Sequence, residues 1–248
     1  MEKMASDISS KHKHPGKSFY ENWACQELAK PGRNIVLEWK AVYMANLFQR
    51  NIPDKPIKNI CEIGGAEGIV IASVGRLLGV EQLDCYDLSD EFCQAGRVLN
   101  KDVKFINEDF VSCHDSYDVC ILSDITEHVV DDRALLEAVS KKCQYVLLKM
   151  PIENCIAGSR WRYWFQGKEK PLNMHYGEDH YNGHLRGYTV NSALSLVREY
   201  YSVIDYHVND PSFYYSGSKF FLRLQRWLGW KPLVWLVGGS LFVVGIRK

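Results

Sequence analysis

The sequence predicts an α/β protein built on a doubly wound, mostly parallel sheet with helices on both faces. Short apolar runs alternate with helix-like stretches through residues 57–148, which is typical of βαβ units and of parallel strands covered on both sides. A glycine-rich turn at residues 64–68 lies between the first run and the first helix-like stretch. The right-handedness of such connections then favours the doubly wound arrangement.

The predicted elements follow each other in regular order. Strands are expected at 57–63, 82–86, 103–106, 117–122 and 144–149, with helices at 69–78, 90–99 and 132–140 between them. Beyond them we predict a helix at 189–200 with Thr189 as its N-cap, strands at 202–208 and 240–246, and an amphipathic helix at 218–228. We assign 1–56 to a leader and lid helices, including a helix-like stretch at 35–48, and 57–248 to the main domain, with an insertion at about 156–188.

Composition excludes several classes of protein. The 248 residues, 46% of them hydrophobic, are typical of a globular protein rather than of disorder, collagen or a coiled coil. The 30 Lys and Arg balance the 30 Asp and Glu, which argues against strong nucleic-acid binding because that needs a positive field. The balance is uneven, since residues 59–150 hold 17 acids against 8 bases and both flanks are basic.

Cysteine usage and the two termini point to a cytoplasmic protein. None of the eight Cys residues has CxxC spacing, and several lie in apolar runs, as buried free thiols do in reducing compartments. Residues 1–17 are polar and unlike a signal peptide. The uncharged run 232–246 is shorter than a spanning helix, which needs about 20 residues. We therefore expect a helix that ends at the glycine pair 238–239, followed by a buried strand at 240–246.

The strongest chemical signal is the turn that begins at Glu62, with the sequence EIGGAEG. Gly64, Gly65 and Gly68 allow a tight backbone and a close ligand approach. The spacing differs from GxGxxG, and the carboxylate of Glu62 would repel a pyrophosphate. A ligand with an ammonium or sulfonium centre suits this turn better than a dinucleotide.

Two further acids follow the next two strands. Asp87 closes the second strand, where a carboxylate is placed to accept hydrogen bonds from both ribose hydroxyls. Asp109 follows the third strand and is placed to accept from an adenine amino group, with Phe110 against the ring. Each acid has a plain alternative role as a helix cap or a solvated loop residue. Together with Glu62 they describe a nucleoside site without phosphate.

On these motifs the chain resembles the class I S-adenosylmethionine-dependent methyltransferases, in their small-molecule, type-11-like branch. The resemblance adds the segment SDITEHV at 123–129, the segment GHLRGYT at 183–189 and the closing FVVGIRK at 242–248. Ala66 stands where the family has its middle glycine, with Gly65 one place earlier. The resemblance implies a Rossmann-like, seven-stranded sheet with an antiparallel last strand.

The resemblance also implies roles for individual residues. S-adenosyl-L-methionine would be the cofactor, with the loop glycines against its methionine part and Glu62 either facing the amino-acid end or holding the loop. Asp87 would bind the ribose, Asp109 the adenine amine, and Phe110 or Leu88 the ring. Ser123 and Asp124 would line the floor near the sulfonium.

The acceptor is expected to be a hydroxyl of a small molecule or of a sugar- or lipid-linked intermediate. An oxygen acceptor needs a base, most often His, and the candidates are His128, after the fourth strand, and His180 or His184 in the insertion. Structural or solvated histidine is the alternative for each. The cluster at 175–184 offers metal-ligand types, but no regular spacing fixes them, so no metal is predicted.

Candidate substrate contacts lie in the insertion and just after it. Arg162 with Trp161 and Trp164 could stack a ring and pair with an anion, or could dock a surface helix. Arg186 and Tyr188 complete the candidates. Rival readings are a protein or RNA methyltransferase and a non-catalytic partner subunit; the oligomeric state stays open.

The C-terminal part suggests a further partner. Residues 211–248 contain six basic residues and no acid. With its aromatic residues, the stretch 218–231 could lie on an anionic membrane, or its apolar side could simply cover the sheet.

Overall fold

The computed structural model describes residues 33–155, 184–209, 227 and 229–248. Within these ranges seven strands form one sheet. In chain order they are β1 (Asn59–Ile63), β2 (Gln82–Tyr86), β3 (Lys104–Ile106), β4 (Tyr117–Ser123), β5 (Cys143–Ile152), β6 (Tyr201–Asn209) and β7 (Gly239–Arg247). Their spatial order is β3-β2-β1-β4-β5-β7-β6.

Strand direction follows the predicted scheme. The pairs β1–β2, β2–β3, β1–β4 and β4–β5 are parallel, whereas β7 runs antiparallel to both β5 and β6. The predicted fold class is therefore confirmed. Because β2 and β4 flank β1, the chain reverses its order at this point, and such a switch point is where open α/β sheets bind ligands.

Six helices of the described residues cover the sheet. They are α1 (Arg33–Asn51), α2 (Ile69–Leu78), α3 (Asp90–Leu99), α4 (Asp132–Lys142), α5 (Val190–Tyr200) and α6 (Trp230–Val237). Buried residues of α1 and α2 join one core cluster with one side of the strands. Those of α4 and α5 join a second cluster with the other side.

The first helix, which the sequence predicted as part of a lid, packs against the sheet. Its inner side carries Ala41, Met44 and Phe48, each at most 2% exposed, in the same cluster as strand residues. Tyr43 also stacks on Phe242 of β7, with ring centroids 5.3 Å apart. Helix α1 is therefore a layer of the sheet fold, because its apolar residues are buried against the strands.

Capping and the C-terminal run agree with the sequence. Thr189 caps α5 by accepting a hydrogen bond from the backbone N–H of Ser192, whose hydroxyl completes a capping box. The run after residue 230 forms α6, which ends at Gly238, and then the buried strand β7. Among the described residues, no helix is both long and apolar enough to cross a membrane.

Candidate active site

The glycine loop, residues 64–68, joins β1 to α2 with three residues at positive φ. These are Gly64 at 66°, Ala66 at 50° and Gly68 at 74°. The N–H of Gly64 donates to the carbonyl of Tyr86 at 2.7 Å. A Cβ on Gly64 would lie 2.5 Å from Ile125 Cδ1. The turn therefore requires glycine at position 64 for both conformation and space.

Glu62 lies behind this loop. Its side chain is 1% exposed, and its Oε2 accepts a hydrogen bond from the N–H of Ile71 at 3.0 Å. A Cβ on Gly65 would come within 2.8 Å of the same oxygen. Burial raises the pKa of Glu62 to about 8. Of the two roles considered for Glu62, these contacts support holding the loop.

Asp87 follows β2 and faces the loop. One carboxylate oxygen accepts from the N–H of Ala66 at 2.8 Å, and the other accepts from the N–H of Ser89 at 2.8 Å. Burial raises the pKa of Asp87. A carboxylate has about four acceptor positions, so these two bonds leave capacity for the predicted ribose hydroxyls.

Of the residues expected to contact the adenine, Asp109 and Leu88 are exposed to solvent and Phe110 is buried. Asp109 is exposed and accepts from the N–H of Val111 at 2.9 Å as a cap. Phe110 is only 1% exposed, because it packs edge-on against Tyr86 and has Lys142 Nζ 4.7 Å from its ring centroid. The prediction that Phe110 covers the adenine is thus corrected. Leu88, the alternative, is 64% exposed.

Asp124, one residue after β4, holds two lysines. It has a φ of 57°, its Oδ2 lies 2.5 Å from Lys40 Nζ of α1, and its Oδ1 pairs with Lys149 Nζ of β5. Burial opposes ionisation, but the two ammonium groups hold the pKa of Asp124 well below its usual range. The neighbouring Ser123 Oγ is buried without a hydrogen-bond partner in the described part of the chain.

Two of the three predicted histidines come together with Glu127 just beyond Asp124. Glu127, His128 and His184, here called the EHH cluster, are 0%, 9% and 6% exposed. The two imidazole rings meet edge-on with centroids 4.8 Å apart. Burial raises the pKa of Glu127 to about 7. The cluster brings one carboxyl group and two imidazole rings together in a buried place.

Glu153, after β5, positions His184. Its Oε2 lies 2.7 Å from His184 Nδ1. Burial by itself would lower the pKa of His184, but the hydrogen bond and charge of Glu153 outweigh it and the pKa is raised. This arrangement resembles the carboxylate–imidazole pairs that orient a histidine through one ring nitrogen and leave the chemistry to the other.

Arg186 and Tyr188, predicted as substrate contacts, instead hold the segment after β4. Arg186 donates to the carbonyls of Thr126 at 3.2 Å and Val130 at 2.5 Å. Tyr188 is 5% exposed, and its hydroxyl donates to Asp132 Oδ2 at 2.7 Å. This prediction is corrected, because backbone carbonyls and a buried carboxylate occupy both side chains.

Several predicted residues lie outside the described residues. These are His180 of the candidate bases and the substrate candidates Trp161, Arg162 and Trp164. The two ends of that segment lie together, since the N–H of Asn154 donates to the carbonyl of Tyr188 at 3.1 Å. Of the stretch 218–231, predicted to contact a membrane, the structure describes only the last residues, among which Trp227 is 81% exposed. Membrane contact stays a prediction.

Three functional candidates were missed from the sequence: Lys40, Lys149 and Glu153. Lys149 had a local signal, because it is a single cation at the end of an apolar strand. Lys40 had none, since it reaches Asp124 across 84 positions of the chain.

Comparison with known proteins identifies the family. The profile of a family described as a methyltransferase domain matches residues 36–199. The chain therefore belongs to this family, and the predicted class, a class I S-adenosylmethionine-dependent methyltransferase, is confirmed together with S-adenosylmethionine as cofactor. No curated protein sequence matches the chain.

Solved structures share the fold over almost the whole chain. Magnesium protoporphyrin IX methyltransferase from Synechocystis PCC 6803, with bound S-adenosylhomocysteine, has a TM-score of 0.61 at 11% identity, and the match covers 94% of this chain and 99% of the other. The N-methyltransferase NodS from Bradyrhizobium japonicum WM9, also with S-adenosylhomocysteine, has a TM-score of 0.57 at 11% identity, covering 92% and 98%. At this identity the likeness establishes the fold alone.

Proposed function

We propose that the chain transfers the methyl group of S-adenosylmethionine to a hydroxyl oxygen of a small molecule or of a sugar- or lipid-linked intermediate. When bound, the cofactor supplies an electrophilic methyl group on a sulfonium. The residues present fit this cofactor. The glycine loop turns through positive φ at Gly64 and Gly68, which have no side chain to block the approach of a ligand to the backbone. Asp87, at the end of β2, makes two hydrogen bonds and can accept more.

The EHH cluster is the observation that supports oxygen as the acceptor atom. A hydroxyl is a poor nucleophile until it loses its proton, and an imidazole or carboxylate close to the reacting atom can act as the general base that removes it. The acceptor oxygen forms the new O–C bond while the C–S bond breaks and its electron pair stays on sulfur. The hydroxyl proton leaves towards the cluster, which follows β4 directly and has Glu153 behind His184.

Fold likeness by itself does not select the acceptor atom. One similar structure is named an N-methyltransferase and another acts on magnesium protoporphyrin IX according to its name. The preference for oxygen therefore rests on the buried carboxylate and imidazoles of this chain. His184 follows the segment in which the sequence predicts the acceptor pocket.

A labelling experiment tests the proposal. The full chain is incubated with S-adenosylmethionine carrying a deuterated methyl group and a panel of phenols, catechols, sugar alcohols and matched amines, and products are weighed by mass spectrometry. We expect label on hydroxyl acceptors, and a loss of about 100-fold or more in rate for Glu127→Gln with unchanged cofactor affinity. Label confined to amines would overturn the oxygen assignment.

A further inference from the structure

The EHH cluster has the composition and proximity of a metal site. Each of Glu127, His128 and His184 offers one ligand atom, and all three atoms lie within 4.8 Å of one another. No metal was predicted from the sequence, because the candidate ligands at 175–184 have no regular spacing. We propose that the EHH cluster binds one divalent cation of the first transition row, such as Zn²⁺.

The donor set selects the kind of cation. Two imidazoles and one carboxylate suit Zn²⁺, Fe²⁺ or Co²⁺ better than Mg²⁺ or Ca²⁺, which prefer oxygen ligands alone. Three protein ligands also match a catalytic site rather than a structural one, because structural zinc is closed by four protein ligands. At least one coordination position then stays open for water or for an acceptor oxygen.

Glu127 supplies an independent sign of a missing partner. It is 0% exposed, and within the described residues its Oε1 has no hydrogen-bond partner. Its Oε2 has only a long contact of 3.4 Å with Thr126 Oγ1. A buried carboxylate oxygen without a partner is costly, and a cation beside it removes that cost.

The surroundings support a cation in two ways. Glu153 holds His184 through Nδ1 at 2.7 Å, as carboxylates orient metal-binding histidines by the nitrogen that does not face the metal. The carboxylates of Glu127 and Glu153 also supply two negative charges, which balance a divalent ion in a buried place.

The backbone joins the two ligand-bearing segments. The N–H of Leu185 donates to the carbonyl of Glu127 at 2.8 Å, and Arg186 bonds the carbonyl of Thr126. Ligand atoms about 2.0–2.2 Å from one metal lie roughly 3–4 Å from each other. Side-chain adjustments of about an ångström on this clamped backbone therefore close the site.

With the cation bound, the cluster would no longer accept the hydroxyl proton. The cation would instead coordinate the acceptor oxygen and lower the pKa of the hydroxyl, whose proton then passes to solvent water. This role rests on the proposed function, and in it the histidines are ligands instead of bases. The cation site itself does not depend on which acceptor is methylated.

Metal titration tests the site without any acceptor. Zn²⁺ is titrated by calorimetry into the metal-stripped full chain, and Co²⁺ absorption serves as a second readout. We expect one equivalent to bind to the wild type. The affinity should be at least about 100-fold lower in Glu127→Gln and His184→Gln, and about 10–100-fold lower in Glu153→Gln, which leaves the ligands in place. His114→Gln, at an exposed histidine outside the cluster, should match the wild type, and thermal unfolding checks each variant's fold.

A competing thiol site is separated by the same experiment. Cys61, Cys120 and Cys143 also lie close enough to bind a metal, but thiolate ligation adds a strong charge-transfer band to the Co²⁺ spectrum. Such a band, the absence of Zn²⁺ binding, or equal affinity in the folded wild type and in Glu127→Gln, His184→Gln and Glu153→Gln would overturn the proposal. Zn²⁺ binding without methyl transfer to any hydroxyl would instead overturn the proposed function and leave the cation site standing.

Discussion

Asp87 accepts a hydrogen bond from the backbone N–H of Ala66 at 2.8 Å and so ties the end of β2 to the glycine loop. Ala66 has a φ of 50°, a left-handed conformation that costs a residue with a side chain about 1–2 kcal/mol. The loop conformation and the expected ribose acceptor are therefore one unit, in which the hydrogen bond offsets the backbone strain.

Replacing Ala66 with Gly should stabilise the protein. Glycine adopts positive φ without steric strain, so we expect the free energy of unfolding in urea to rise by about 0.5–1 kcal/mol. The matched control is Ala72→Gly inside α2, which should lower it by about 1 kcal/mol. Equal destabilisation by both substitutions would show that the loop tolerates alanine without strain.

Glu62 should make stability depend on pH. Its pKa rises from an ordinary 4.5 to about 8 on burial, so between these values the folded state binds the proton more tightly than the unfolded state. Stability contributed by the protonated form is therefore lost as the pH rises from about 5 to 8. Glu62→Gln removes this titration.

The measurement is urea unfolding of the cofactor-free protein across that pH range. We expect the wild type to lose about 2–4 kcal/mol relative to Glu62→Gln between pH 5 and 8, whereas Glu81→Gln, at an exposed position, should track the wild type. Parallel profiles for the wild type and Glu62→Gln would mean that Glu62 is ionised throughout.

Tyr188 should matter for stability and not for binding the acceptor. Tyr188→Phe removes the donor that lies 2.7 Å from Asp132 Oδ2 and leaves that buried oxygen with Arg186 Nη1 at 3.3 Å, so the free energy of unfolding should fall by about 1–3 kcal/mol. Tyr200→Phe, at the partly buried last residue of α5, removes a hydroxyl that is not in the core and should change it little. A raised KM for the acceptor with unchanged stability would restore Tyr188 as a substrate contact.

The parts of the fold that the sequence predicted depend on local pattern. The run predicted at 82–86 is β2, and Asp87 follows it as expected, because apolar periodicity and a strand-end acid are both visible within a few residues. Gly64 was similarly identifiable, since a turn between strand and helix demands positive φ.

The corrections all concern contacts between distant segments. Phe110 looked like a ring contact by position, but Tyr86 and Lys142 enclose it from other elements. Arg186 looked like a ligand for an anion, yet it donates to the backbone carbonyl of Thr126, which lies 60 positions earlier in the chain. Such partners become visible only when the chain is folded, because no spacing rule links them.

Calorimetric titration of S-adenosylmethionine and S-adenosylhomocysteine into the full chain tests the central claim most directly. The wild type should bind both, and Asp87→Ala should lose about 10–100-fold in affinity, since hydrogen bonds to a charged group contribute about 1.5–3 kcal/mol. Asp102→Ala, at an exposed loop position, should bind like the wild type. No binding by the wild type at millimolar cofactor, or unchanged affinity in Asp87→Ala, would contradict the account.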